Sequence, residues 1–343
     1  MKKGIRSTAI RTRDKIFGKL SDQISDLNSK LEVVDKTLHG SKEALLEVSD
    51  KTLSTINKNY NMSLNSGFVR ISDTEIVTKI FSGLKMYVDP RDISFTPHIT
   101  LDHIWESNIT AAWLALVKSD STVLDIGANF GYYGALAAQY ADKKKANIIL
   151  FEANPELIPY IDKTLSLNWL REQTTIANFA VSNKNGKAQL NVLKDYIGSS
   201  SLHTSSELDS YMHKKMNVET AKLITVPSTT IDSYCEKNKI TTVDLIKMDI
   251  EGYEDKAYQG MRKTIKASPN ATMFIEFTKD AYEDPKKFYS QLIEDFGNVY
   301  IIYGGRIIKA KKKDYESIVG SFDDWVMPIF SKRGDLEQMI EEL

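Results

Sequence analysis

Four acidic residues sit at the ends of four apolar runs in this chain. Asp125 belongs to the run 123–126, Glu152 follows 148–151, Asp249 follows 245–248, and Glu276 falls within 271–277. Short apolar runs bounded by polar and glycine-containing stretches are expected to be buried strands. In an open parallel sheet, ligands bind beyond the carboxyl ends of the strands. The four acids are therefore expected on one rim, where carboxylates can hold a cationic ligand, accept hydrogen bonds from hydroxyls, or take a proton. Lys247 lies two residues before Asp249, and strand alternation puts both on one side. A lysine on a central strand is costly to bury unpaired, so Asp249 or Glu276 is its expected partner.

The first run continues into Gly127, Gly131 and Gly134, then into the helix formers Ala135, Leu136, Ala137 and Ala138. A strand, a glycine turn and a helix in that order make a nucleotide site, because the backbone can approach a ligand and free amides open the helix. Asp125 would repel a diphosphate there and suits an ammonium group instead. Glu152, closing the second strand, is placed to accept hydrogen bonds from both ribose hydroxyls, as in NAD-binding proteins, and its charge disfavours a phosphorylated ribose. The ligand these two acids describe is half nucleoside and half amino acid.

Elsewhere the pattern supplies supporting elements. One or two strands are expected over 84–95, a helix over 110–117, a third core strand over 175–181 and a half-exposed strand over 187–193. Residues 198–206, small and polar with His203 among them, read as a lid or substrate clamp. Residues 298–303 and 325–330 are expected to close the sheet as an antiparallel pair, with Arg306 and the lysines of 309–313 forming a basic turn between them. Residues 254–262 restart as a helix, and a last acidic helix covers 336–343.

VLDIGANFGYYG at 123–134, FEANPE at 151–156 and LIKMDIEGYE at 245–254, in that order, resemble the FkbM family of class I S-adenosylmethionine-dependent methyltransferases; the similarity runs from about Lys85 to about Phe330. The resemblance implies an α/β Rossmann-like fold, a mostly parallel seven-stranded sheet with an antiparallel edge hairpin. It implies S-adenosylmethionine as cofactor, held by Asp125, Gly127, Asn129, Gly131, Glu152 and Asn154, with Ala180 at the adenine and Glu106 over the pocket. It also implies methyl transfer to a hydroxyl of a sugar or glycan-type acceptor. A hydroxyl is a poor nucleophile, so a base should help remove its proton. Asp249 or Glu251 is the expected base, Lys247 and Glu276 its orienting neighbours, and His203 a competing base. Clustered carboxylates also suit a magnesium ion. Two other classes stay open. A nicotinamide oxidoreductase would share the glycine loop, though it prefers G-x-G-x-x-G to the G-x-x-x-G-x-x-G present here. A coiled-coil scaffold with a vestigial methyltransferase fold is the other.

Three segments are expected: a basic start and coiled-coil helix over 1–56, a polar linker over 57–67 and the methyltransferase domain over 68–343. Residues 1–19 carry seven lysines and arginines against one aspartate, which suits anionic lipid headgroups at about 1 kcal/mol per basic residue. Phe17, Ile24, Leu31, Leu38 and Leu45 take one heptad position; Leu20, Leu27, Val34 and Val48 take the other, with Ser41 weakening the seam. That spacing predicts an oligomerising stalk of about 48 Å at ~1.5 Å per residue. A net charge of −1 argues against a nucleic-acid partner. One cysteine, no apolar run long enough to span a bilayer and no signal-peptide core point to the cytoplasm, and the basic start points to contact at the inner face of the membrane.

Overall fold

The computed structural model of the protein describes residues 67–193, 195–202, 220–303, 306–312, 314–320 and 325–341. The heptad, the basic start, all but the last residue of the expected linker, and His203 lie outside them. The described chain opens with β1 (Val69–Arg70), β2 (Ile76–Lys79) and β3 (Lys85–Val88), a small antiparallel sheet, followed by α1 (Phe95–Leu101) and α2 (Ser107–Leu116). Alternating units follow: β4 (Thr122–Ile126), α3 (Tyr132–Tyr140), β5 (Asn147–Phe151), α4 (Ile158–Leu167) and β6 (Thr174–Ala177). β7 (Ala180–Val181), β8 (Gly186–Leu193) and β9 (Thr220–Thr229) form a third sheet in the order β7–β9–β8. The main sheet then resumes with α5 (Ile231–Lys237), β10 (Leu245–Met248), α6 (Glu254–Gln259), α7 (Arg262–Ala267), β11 (Thr272–Ile275) and α8 (Pro285–Phe296). β12 (Asn298–Tyr303), β13 (Arg306–Ala310), β14 (Ile329–Ser331) and α9 (Leu336–Glu341) complete it.

The main sheet runs β13–β12–β14–β11–β10–β4–β5–β6, with β11, β10, β4, β5 and β6 parallel and β14 inserted antiparallel between β11 and β12. Its central strands are apolar at nearly every position because both faces are covered. Val123, Ile148, Leu245 and Phe274 pack into one core layer with Trp113, Tyr133 and Leu136. Leu124, Ile149, Ile246 and Met273 pack into the other with Ile231, Tyr258, Ile265 and Leu292. Asp125 and Lys247 are opposite one another in the β4–β10 register, so the two charged side chains of the sheet centre share a neighbourhood.

Eight strands stand where seven are expected. The extra one is β13, where the sequence suggests a basic turn: Ile307 and Ile308 pair with Ile302 and Ile301. Its lysine suits an edge, where charge discourages further pairing. Trp325 also falls outside the strand expected from it, since β14 begins at Ile329. The stretch 175–181 is likewise not one strand. Asn178 turns aside to donate through Nδ2 to the Glu152 carbonyl at 2.7 Å, and the chain leaves the main sheet for the third one.

Candidate active site

The carboxyl ends of β4, β5, β10 and β11 meet at a single cleft. At β4, the chain turns at Gly127, whose φ is +83° and where an added Cβ would lie 1.8 Å from the Asp249 carbonyl oxygen. Only glycine fits both the left-handed backbone and that approach. The amides of Gly127 and Ala128 both donate to the Phe151 carbonyl at 2.9 Å, fixing the loop to the end of β5.

Glu152 is buried under this loop. Its Oε2 accepts from the Asn129 amide at 2.8 Å and its Oε1 from the Asn154 amide at 2.7 Å. Burial pushes its carboxyl up to about 7, against the pull of those two amides. Each oxygen keeps a lone pair for a further donor. Beside it lies a narrow crevice of about 40 Å³, its apolar wall made by Phe179, Ala180, Val181 and Leu190. That is room for about three waters, because the strap 195–202 folds over it. Gly198 comes so close that an added Cβ would sit 2.2 Å from the Asn129 side chain, and Ser201 Oγ donates to the Glu251 carbonyl at 3.0 Å. A nucleoside entering the crevice has to shift this strap.

Across Gly127 the cleft widens into a cavity of about 570 Å³, within the ~300–1,000 Å³ range of small-molecule sites. Glu106, Asp249, Glu251 and Glu276 line it together with Lys247. Lys247, 3% exposed, donates to Asp249 Oδ2 at 2.6 Å, so Asp249 is the partner. Its Nζ also lies 4.6 Å from the centre of the Tyr133 ring, a cation–π distance. Burial opposes the charge on Lys247, yet Asp249, Glu106 and Asp125 together hold its pKa above the ordinary value.

The remaining acids hold protons more tightly than usual. Burial, with Asp249 nearby, pushes Glu251 up to about 8 and Glu276 well above the usual carboxylate range. Glu106 is raised by burial too, although Lys247 pulls the other way. Its Oε2 accepts from the Tyr133 hydroxyl at 2.7 Å instead of capping α2, the helix it precedes. Glu106, Asn129 and Glu251 all have φ between 42° and 57°, a left-handed conformation that non-glycine residues adopt sparingly and that clusters at functional sites.

Asp125 differs from the other strand-end acids. It is 1% exposed, its Oδ2 accepts from the Gly134 amide at 2.7 Å, and burial pushes it up to about 6. It lies behind the cavity wall, tying the start of α3 to β4 and adding negative charge beneath Lys247. Gly131 caps α3 in the left-handed conformation. Asn154, fully buried, donates through Nδ2 to the Ile197 carbonyl of the strap at 3.3 Å.

Pattern alone did not single out Tyr133, Trp325 or Glu254. Tyr133 occurs in the glycine motif, where a tyrosine at the helix start could have signalled a ring over the strand ends. Glu254 Oε1 accepts from the amides of Ile250 and Gly252 at 2.8 and 3.3 Å, holding the turn that presents Glu251. Nothing in the sequence brings Trp325 to the cavity wall, since the antiparallel insertion of β14 puts it there.

The residues present fit an adenosyl amino acid. The crevice has one apolar wall, of Phe179, Ala180, Val181 and Leu190, Glu152 is fixed beside it with acceptor capacity to spare, and carboxyl groups exceed cations in the wider cavity, as a cationic ligand requires. Asn129 Oδ1 is buried without a hydrogen-bond partner in the structure, an acceptor ready for a ligand donor. Among the described residues, no three acids, histidines or cysteines are grouped closely enough to hold a metal ion. No described helix is long and apolar enough to cross a membrane.

A sequence profile of the family described as "Methyltransferase FkbM domain" matches residues 125–304, just over half of the chain. None of the curated proteins matches it by sequence. Among solved structures, similar folds include an FkbM methyltransferase from Methylobacillus flagellatus KT, at 13% identity and a TM-score of 0.38, covering 62% of this chain and 44% of that one. The M. jannaschii TYW2 protein in complex with AdoMet is 15% identical with a TM-score of 0.38, over 77% and 87% of the two chains. A SAM-dependent O-methyltransferase from Thermotoga maritima is 10% identical with a TM-score of 0.36, over 74% and 76%. The profile match sets aside the nicotinamide oxidoreductase. The chain belongs to the FkbM methyltransferase family and is an S-adenosylmethionine-dependent methyltransferase.

Proposed function

We propose that the protein transfers a methyl group to a hydroxyl of a sugar or glycan-type acceptor, with Glu251 as the base. The observation that carries this is the single cavity in which Glu251, Asp249 and Glu276 surround the ion-paired Lys247, continuous across Gly127 with the Glu152 crevice. The crevice receives the nucleoside: Phe179, Ala180 and Val181 wall the purine, and Glu152 accepts from the ribose. Bound S-adenosylmethionine supplies a methyl group on a positively charged sulfur. The chain supplies alignment, which is worth ~7–11 kcal/mol in well-oriented reactions, and a place for the acceptor's proton.

Glu251 is better suited to that proton than Asp249, because Asp249 already accepts from Lys247 and is held there as the lysine's counter-ion. Glu251, pushed up to about 8, is poised near neutral pH, where a general base works best. Glu276, raised by burial with Asp249 and Glu251 nearby, lines the same cavity and can hydrogen-bond the acceptor oxygen. Glu251→Gln should lower kcat by about 10²–10⁴ with little change in cofactor affinity measured by calorimetry. Asp249→Asn should also abolish most turnover while the cofactor still binds, through misplacement of Lys247. Wild-type kcat/KM should rise with pH through about 8, and that rise should vanish in Glu251→Gln. Retained turnover in Glu251→Gln would refute the assignment. His203 remains a competing base, and its replacement by Gln is the matching control.

The heptad and the basic start support self-association and contact with an anionic membrane surface on the cytoplasmic side. A chain beginning at residue 57 should lose both, by light scattering and by vesicle co-sedimentation that high salt abolishes.

A further inference from the structure

Methyl transfer needs one nucleophilic oxygen and one cofactor, but the cavity wall carries a feature that neither requires. Trp325 lines the cavity while remaining 44% exposed. Its position is fixed through the next residue, Val326, which exchanges backbone hydrogen bonds with Phe277 at 2.8 and 3.3 Å. That antiparallel bridge puts Trp325 across from Thr278, two residues beyond Glu276, and all three line the cavity. Trp105 lines the same cavity, its ring held edge-on against Phe95 at 5.4 Å. An indole face is electron-rich and attracts the weakly positive C–H face of a saturated polyhydroxylated ring.

Charge narrows the acceptor further. Among the described lining residues the one cation is Lys247, already committed to Asp249 and to the face of Tyr133. Four carboxyl groups line the same space. An acidic acceptor would be stripped of water beside Asp249 and the other carboxyl groups with no free cation among the described lining residues to receive it, which is strongly unfavourable. An uncharged ring with several hydroxyls meets acceptors and donors it can satisfy.

Resting on the methyl-transfer proposal above, we infer that this cavity selects an uncharged polyhydroxylated ring seated on Trp325, and rejects acidic sugars for want of a free cation.

The test uses the full chain loaded with S-adenosylhomocysteine and two matched ligands, methyl β-D-glucopyranoside and methyl β-D-glucuronide. Binding is followed by saturation-transfer NMR and indole fluorescence. The glucoside should bind at least tenfold more tightly than the glucuronide. Trp325→Ala should weaken the glucoside at least tenfold, Trp325→Phe less than threefold, and both should leave S-adenosylhomocysteine affinity within threefold. Equal binding of the glucuronide, unchanged glucoside affinity in Trp325→Ala, or binding of neither ligand overturns the inference. Product analysis with S-adenosylmethionine separates it from the reaction itself. Selective binding without methylated product keeps the selection and refutes the hydroxyl acceptor. Glucuronide methylated as fast as glucoside does the reverse.

Discussion

Glu152 and the acids around Lys247 are both buried carboxyl groups at strand ends, yet the protein stabilises them by opposite means. Glu152 receives two backbone amides from its own neighbourhood, one from the glycine loop and one from two residues further along the chain. Each of its oxygens is thus held by a backbone amide before any ligand arrives. The cavity acids instead share one lysine, and burial beside Asp249 raises Glu251 and Glu276 above the ordinary carboxylate range. The difference separates recognition from chemistry. A group that only orients a nucleoside can be locked by local backbone, whereas groups that must change charge during a reaction are left short of partners until a positively charged ligand arrives.

The sharpest way to break this contrast is to remove its centre. Lys247→Met leaves Asp249, Glu106 and Asp125 without their shared cation. Breaking a buried pair by deleting one partner typically destabilises by ~3–5 kcal/mol. A large drop in the urea midpoint is expected, together with loss of turnover. A variant as stable as the wild type would mean that the acids are not organised by the lysine at all. Glu152→Gln should behave differently. A glutamine side chain can accept from one amide but presents its own NH₂ to the other, and the ribose loses a charged acceptor. Hydrogen bonds to charged groups are worth ~1.5–3 kcal/mol, so cofactor Kd by calorimetry should rise by about 10–100-fold with a smaller effect on folding. Equal affinity would detach Glu152 from the cofactor.

How much of this was legible in sequence follows the same division. The strand ends, the glycine turn and Glu152 could be read because their signals are local: an apolar run, a turn residue and an acid in succession. Lys247 could be paired only to within two candidates, since alternation gives the side of the strand but not the distance to β11. Tyr133 over Lys247, Glu106 turned away from its helix and Trp325 at the cavity wall depend on contacts between elements far apart in the chain. The same holds for β13, whose pairing with β12 competes with the turn that its lysines suggest, and for Asp125, which pattern places at the ligand but which serves the Gly134 amide behind the wall.

Acidity offers a gentler test. Glu152 and Glu254 are pushed up to about 7 and Glu251 to about 8. These groups keep protons in the folded chain that the unfolded chain releases near its ordinary carboxylate pKa of ~4.3. Their contribution to stability is therefore full below that value and is lost as pH rises through about 7 to 8. Thermal midpoints should fall by several degrees between pH 5 and pH 8.5, at ~2–4 °C per kcal/mol. Glu251→Gln should make that slope shallower throughout and remove it above about pH 7, where Glu152 and Glu254 have already lost their protons. A positively charged cofactor should also drive protons off the cavity acids as it binds. Calorimetry in two buffers of different ionisation enthalpy should then report proton release that Glu251→Gln reduces. Identical heats in both buffers would show that the cavity acids do not respond to the ligand's charge.

The smallest expected effect asks which half of Tyr133 matters. Its ring covers the Lys247 ammonium and its hydroxyl donates to Glu106. Tyr133→Phe keeps the ring and removes only the donor. A net hydrogen bond to a charged or partly charged group is worth ~1–3 kcal/mol, but Glu106 already sits above its usual pKa and can keep a proton instead of accepting one. The loss should therefore lie at the low end, near ~1 kcal/mol in folding and a few-fold in kcat/KM, with Glu106 taking up its proton at a higher pH than before. Tyr133→Leu removes the ring as well and should do more, because the lysine then loses its face contact and Asp249 is held less firmly. If the two variants behave alike, the ring contributes nothing and the lysine is oriented by Asp249 alone.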